Sequence, residues 1–155
     1  MTLNENYLKV IPILKEHSVV THGDLDQLNV IWNKKEVPFL IDWESAKKMN
    51  PTYEIVRTSL RFSGVGTDDF SLSIYTHMLH AYKKHDGLLN NNHIEAALHA
   101  LSSGTINRLL YNIELASASD SSEERNRACN EIEGVLMSIN IKQSQALISQ
   151  LLKIK

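Results

Sequence analysis

The stretch His22-Gly23-Asp24-Leu25-Asp26-Gln27-Leu28-Asn29, with Ile41-Asp42-Trp43-Glu44 a short distance downstream, decides how this chain is read. The first segment spaces His, Asp and Asn as H-x-D-x-x-x-x-N. The second is an apolar run that ends in an acid. Between them lie Leu28-Asn29-Val30-Ile31-Trp32 and Val37-Pro38-Phe39-Leu40-Ile41, around the polar turn Asn33-Lys34-Lys35-Glu36. Two β-branched, apolar runs about a short polar turn predict a hairpin. Pro38 has no N–H and belongs at an edge or at a strand start. Such a hairpin can return Asp42 to the loop that holds Asp24 and Asn29.

Those residue types suit phosphoryl transfer. A carboxylate must orient an acceptor hydroxyl and take its proton as the new P–O bond forms, and Asp24 is placed for that. A divalent cation must neutralise charge on the phosphates. Mg²⁺ prefers hard oxygen ligands, often one or two carboxylates completed by waters and phosphate oxygens. Asn29 and Asp42 offer an amide oxygen and a carboxylate. His22 stands where a buried ring braces the loop. The bland alternative is that these are ordinary turn and cap residues, for which Asp and Asn are favoured in their own right.

The segment resembles the aminoglycoside phosphotransferase and choline kinase-like family, whose signature reads H-G-D-x-x-x-x-N, a hairpin, then I-D-W or I-D-F. Here it is His22-Gly23-Asp24 to Asn29, then Ile41-Asp42-Trp43. Asn50-Pro51-Thr52-Tyr53-Glu54 resembles the family's D-P-x-Y-D/E at a helix start. The specific match spans about residues 19–60. It implies that Asp24 is the catalytic base with His22 supporting it. It implies that Asn29 and Asp42 hold Mg²⁺ and, through it, ATP. Asp26 and Glu44 are candidate contacts to the acceptor, with a solvent-facing role for Asp26 as the alternative. The resemblance implies a mainly α fold with a small β-hairpin, the C-terminal lobe of a protein-kinase-like enzyme, with the N-terminal β lobe absent. It makes residues 1–155 one domain: catalytic loop 20–30, metal-binding hairpin 28–44, helical remainder 50–153.

The rest of the chain reads as helix. In 3–17, Tyr7, Val10, Ile11 and Leu14 recur at helical spacing, with Pro12 as an expected kink or break. Lys9 and Lys15 fall in that helix, not on a strand. Asn50-Pro51 opens a helix with Ile55, Val56 and Leu60. Gly64-Val65-Gly66 reads as turn punctuation. Thr67 or Asp68 is expected to open a helix through Phe70, Ile74, Met78 and Tyr82, ending near Asp86-Gly87. Asn90-Asn91-Asn92 is a link. Ile94 to Leu101 and Leu109 to Ile113 follow, with a break or close contact expected at Gly104. Ser121 and Glu124 fit a capping box before the stripe Ile132, Val135, Leu136 and Ile139. A last amphipathic helix is expected over 143–152. His77, His80 and His85 read as partly exposed, not as a metal site. Cys129 reads as a half-buried thiol. Tyr75, Tyr82 and Tyr111 either line an acceptor cleft or edge the core.

Composition narrows the class. The 155 residues carry 16 Lys+Arg against 18 Asp+Glu, a net charge of −2, and one cysteine. A near-neutral chain is not a general nucleic-acid binder. One cysteine excludes an internal disulfide or a multi-cysteine zinc site. No apolar run approaches the roughly 18 residues of a membrane span, and the N-terminus has no signal-peptide pattern, so a cytoplasmic setting without membrane contact is expected. The length suits one well-cored domain. Set beside the family resemblance, it suggests one lobe without its partner. Two readings follow. One is the catalytic-loop lobe of a small-molecule phosphotransferase, inactive alone. The other is a helical binding or dimerisation module derived from such a lobe. A homodimer or a separately encoded N-terminal lobe is the expected protein partner.

Overall fold

The structure is a computed structural model, and it describes residues 3–138 apart from 66 and 68. Among the described residues there are five α-helices and two small antiparallel sheets. The helices are α1 (Leu3–Lys15), α2 (Pro51–Phe62), α3 (Leu72–Lys84), α4 (Asn91–Ala118) and α5 (Ser122–Ser138). The strands are β1 (Val19–Thr21), β2 (Val30–Trp32), β3 (Pro38–Leu40) and β4 (Lys47–Met49). The fold is mainly α, as expected, with one sheet more than expected. The hairpin pairs β2 with β3 from Val30↔Leu40 to Trp32↔Pro38, and Pro38 opens its strand. Asn33 closes the turn: its side-chain oxygen accepts from Lys35 and Val37 N–H.

Val19-Val20-Thr21, a β-prone run in the sequence, forms β1 as expected and pairs with β4, a strand that was not expected, with Val19 opposite Met49. After Trp43 the next expected element was the helix opened by Asn50-Pro51, and no strand was expected before it. Instead the chain makes a 3₁₀ turn over Trp43–Ser45 and a strand before α2 begins. Asn50 then caps α2, its Oδ1 accepting from Thr52 N (3.0 Å) and Tyr53 N (3.2 Å). Its amide nitrogen donates to Nδ1 of buried His93 at 3.0 Å, which ties the start of α2 to α4.

Helix α2 ends in a left-handed glycine. Gly64 has φ +76°, its N–H donates to the Arg61 carbonyl, and Val65 N–H donates to the Leu60 carbonyl. This pair of bonds satisfies two of the helix's last carbonyls. Thr67 is spent in that turn, donating to Gly64 O and accepting from Asp69 N–H. The next helix therefore opens at Ser71, whose Oγ accepts from Ile74 N–H, and not at Thr67 or Asp68 as expected. Helix α4 begins at Asn91 behind its cap Asn90 and runs through Gly104 without a break. Ser102 and Thr105 turn their hydroxyls back onto the Leu98 and Leu101 carbonyls, so they cap nothing. Helix α1 likewise continues past Pro12.

The core lies where α2, α3 and α4 meet. Val56, Leu60, Tyr75, Leu79, Ile94, Ala97 and Leu98 form it. Burying a side chain such as Val56 or Leu79 is worth roughly 1.5–3 kcal/mol. A second cluster joins Val10 of α1 to Ala96 and Ala100 of α4, with Tyr7 and Leu14 packed on it as the helical spacing predicts. Tyr75 belongs to this core and lines no cleft; burial pushes its hydroxyl up to about 12. Tyr82 is half-buried and Tyr111 exposed. On α5, Ser121 Oγ accepts from Glu124 N–H, while the Glu124 carboxylate takes the Ser119 hydroxyl. That helix buries Ala128 and Val135, which leaves Cys129 exposed, contrary to expectation. Ile139 and the expected helix over 143–152 lie outside the described residues. No helix among the described residues is long and apolar enough to cross a membrane.

Candidate active site

The loop from His22 to Asn29 is anchored through its backbone. Gly23 takes φ +78°, and a Cβ there would sit 2.0 Å from the Ser45 carbonyl oxygen. Only glycine fits both the conformation and the space. Its N–H donates to Oε1 of Glu54 at 3.0 Å, and its carbonyl accepts from Nη2 of Arg57 at 2.5 Å. Glu54 and Arg57 also pair with each other at 3.1 Å, an ion pair without hydrogen-bond alignment. One turn of α2 thus holds both the N–H and the carbonyl of Gly23.

A second set of bonds joins loop to hairpin. Asn29 Nδ2 donates to the Asp24 carbonyl at 2.8 Å. The Asn29 carbonyl accepts from Ile41 N–H at 3.1 Å. The Ile41 carbonyl accepts from His22 Nε2 at 2.7 Å. His22 is buried and its ring lies 4.8 Å from that of Trp43. The circuit runs Asp24, Asn29, Ile41, His22, and Asp42 follows directly on Ile41. Asp42 adopts a left-handed backbone (φ +62°, ψ 61°), makes no capping bond and is exposed. Asp is among the non-glycine residues that enter this region most readily, and Glu36 and Asp86 share it in this chain.

Asp24 presents a half-exposed carboxylate. Arg61 Nη1 donates to its Oδ1 at 2.8 Å. That bond holds the carboxyl below the usual aspartate range against a small opposing effect of burial, with added pull from the charges of Arg61, Arg57 and His22. Asp26 caps the 3₁₀ turn Gln27–Asn29 through Leu28 N–H at 2.8 Å and stands 3.8 Å from Arg61. Glu44 lies exposed in the turn after Asp42. His77 is exposed and bonds to Ser73; His80 and His85 are exposed.

Asn29 and Asp42 offer an amide oxygen and a carboxylate, hard donors of the kind Mg²⁺ takes. With the Asn29 amide nitrogen engaged, its oxygen is the atom left for a cation, and Asp42 offers a free carboxylate. Among the described residues no three His, Cys, Asp or Glu side chains converge on a metal position. Two protein oxygens with waters and phosphate oxygens fit the usual habit of Mg²⁺.

Glu54, Arg57 and Arg61 were not singled out in the sequence as a functional set. Their spacing of three and four along α2 puts them on one helical face. A charged face toward the motif loop, on the helix opened by Asn50-Pro51, was the available signal.

No curated protein and no solved structure matches the chain. A family model described as the phosphotransferase enzyme family matches residues 2–89, more than half of the chain. The matched part contains the His22–Asn29 loop, the hairpin, Asp42 and all of α2 and α3. The chain belongs to the phosphotransferase enzyme family.

Proposed function

We propose that this chain is the catalytic-loop lobe of an ATP- and Mg²⁺-dependent phosphotransferase, built as the C-terminal lobe of a protein-kinase-like fold. It transfers a phosphoryl group to a hydroxyl of a small polar acceptor. The observation that supports this most is the closed circuit from Asp24 through Asn29 and Ile41 to His22, which draws the loop and Asp42 together. In this reading Asp24 accepts the hydroxyl proton as the acceptor oxygen bonds to the γ-phosphorus. The bond from that phosphorus to the bridging oxygen breaks, and the nucleoside diphosphate leaves. Bound Mg²⁺ would neutralise charge on the phosphates, held by Asn29 and Asp42. His22 fixes the loop against the hairpin. Arg61 keeps Asp24 ionised while occupying one of its oxygens, so the other faces the acceptor. Asp26 and Glu44 lie close enough in sequence to contact a cationic acceptor. An ATP-dependent reaction belongs in the cytoplasm, where the nucleotide is.

Such catalysis rests on groups that cover and clamp the phosphates. Lys9 and Lys15 sit on α1, where neither serves as a strand lysine. The 155-residue chain alone is therefore expected to turn over ATP little or not at all. ATP turnover that Asp24→Asn abolishes would contradict this. Nucleotide binding is tested separately by thermal shift. At ten times Kd, Mg·ATP should stabilise the fold by about 1.4 kcal/mol. Asn29→Ala and Asp42→Ala should remove that gain. An equal gain in all three proteins would sink the assignment.

A second reading, an interaction module, is favoured by one observation. Val20, Leu28, Trp32, Phe39 and Trp43 all expose half or more of their surface on one segment of the chain. Trp32 and Phe39 fall on opposite faces of the hairpin, so its exposed apolar surface offers two faces for association. The fitting occupants are a second copy of this chain or a separately encoded β lobe. Sedimentation should show self-association that Trp32→Lys with Phe39→Lys abolishes. A strictly monomeric chain that also fails to bind a co-expressed β lobe would refute it.

A further inference from the structure

Gly104 sits near the middle of the 28-residue helix α4. Glycine is among the least favoured residues in a helix interior. Gly104 has no positive φ, and a Cβ at this position would meet nothing within 4 Å. Neither backbone conformation nor close packing calls for glycine here. Gly104 lines a cavity of 540 Å³, open to solvent, between α1, β4, α2 and α4. This volume falls in the range of about 300–1,000 Å³ usual for small-molecule sites.

The cavity has a distinct chemistry. Ile11, Leu14, Met49 and Ala100 give it an apolar floor, and all four are buried or half-buried. Lys15 and Lys48 are exposed and flank it, one from α1 and one from β4. Neither ammonium is paired with an acid among the described residues. Among the described residues no acid lines the cavity, although the chain as a whole is negative. A neighbouring cavity of 360 Å³ shares Tyr53 and Gly104 and is bounded by Gly134 of α5. Gly134 is a second helical glycine whose Cβ would meet nothing within 4 Å. Gly104 lines both cavities and Gly134 the smaller one. His22, Asp24, Asn29 and Asp42 line neither cavity.

We propose that the cavity lined by Gly104, Lys15 and Lys48 binds a small organic anion with an apolar body, a medium-chain carboxylate being the simplest case. The apolar chain lies on the Ile11, Leu14, Met49 and Ala100 floor, and the carboxylate sits between Lys15 and Lys48. This site is separate from the phosphoryl-transfer residues and does not depend on that reading.

The test is titration of the full 155-residue chain with sodium octanoate, followed by the amide NMR shifts of Ala100, Gly104 and Asn107. Saturable shifts at these residues are expected. Gly104→Leu fills the cavity and should weaken binding at least tenfold. Lys15→Ala with Lys48→Ala changes exposed side chains only and should also weaken it at least tenfold, which keeps the test decisive if the leucine variant folds poorly. 1-Octanol, with the same body and no charge, should bind at least tenfold more weakly than octanoate. Shifts confined to Trp32, Phe39 and Trp43, an absence of saturation, or unchanged affinity in the double lysine variant would overturn the proposal.

Discussion

Arg61 donates from Nη1 to Oδ1 of Asp24 across 2.8 Å, so the carboxylate of the motif loop is held by a guanidinium from the last turn of α2. Removing this partner has a directed consequence. In Arg61→Ala the Asp24 carboxyl should titrate at higher pH than in the parent, because its largest depressing influence is that hydrogen bond. Carboxyl ¹³C NMR titration reads this directly. A depressed folded value means that the pair stabilises the fold above the unfolded aspartate range, near 3.9, and loses that contribution as pH falls further. Both side chains are about half-exposed, so the stability involved is only roughly 0.2–1 kcal/mol. An unchanged Asp24 titration would count against Arg61 as its partner.

Glu54 should matter far more to stability. Its carboxylate takes the Gly23 N–H and pairs with Arg57, and all three groups are largely buried. Glu54→Ala strands a buried guanidinium and a buried donor. A loss of about 3–5 kcal/mol in urea denaturation is expected. Glu54→Gln keeps an oxygen for Gly23 and should lose less. Equal losses for the two variants would show that the Gly23 bond carries little of the effect.

Gly23→Ala joins two penalties, a left-handed backbone and a Cβ 2.0 Å from a carbonyl oxygen. The obstacle is backbone, so it cannot swing aside. A destabilisation of at least about 2 kcal/mol is expected from strain of this kind. Denaturant midpoints check it, and a near-neutral alanine would mean that the turn over Trp43–Ser45 gives way easily.

Gly104→Ala and Gly134→Ala should act in the opposite direction. Each adds a methyl into open space in a helix interior. A gain of about 0.5–1 kcal/mol apiece is expected from helix propensity. Thermal unfolding of each variant measures it. A destabilised alanine at either place would reveal a contact or a conformational demand there.

The parts legible in the sequence are those set by neighbours along the chain. The turn Asn33 to Glu36 between two apolar runs dictates its hairpin. Asn50-Pro51 carries its own cap and its own first helical residue. The loop His22 to Asn29 was legible as a motif because its spacing reflects one tight backbone path. Strand β4 was not legible: Lys47-Lys48-Met49 has no apolar alternation, and it is a strand only because β1, thirty residues earlier at Val19↔Met49, pairs with it. The start of α3 was misplaced because Thr67 looks like a cap, while its hydroxyl is consumed by the turn that ends α2. Gly104 looked like a helix break, but the flanks of α4 are held by α1, α2 and α5, and packing outweighs a local preference. In the candidate site, Asp24, Asn29 and Asp42 were readable by type and spacing. Glu54, Arg57 and Arg61 were not, since charges on a helix look solvated until a loop is seen folded against them.

Asn29 and Asp42 are proposed to form the cation-binding part of a phosphotransferase site. Paramagnetic NMR tests this most directly. Mn²⁺ replaces Mg²⁺ at oxygen sites, and substoichiometric Mn²⁺ with ATP broadens amides near the ion. Selective broadening of Asn29, Asp42 and Trp43 in the parent chain, lost in Asp42→Ala, is the predicted result. Broadening spread over exposed acids such as Glu123 and Glu124, and unchanged by Asp42→Ala, would contradict it.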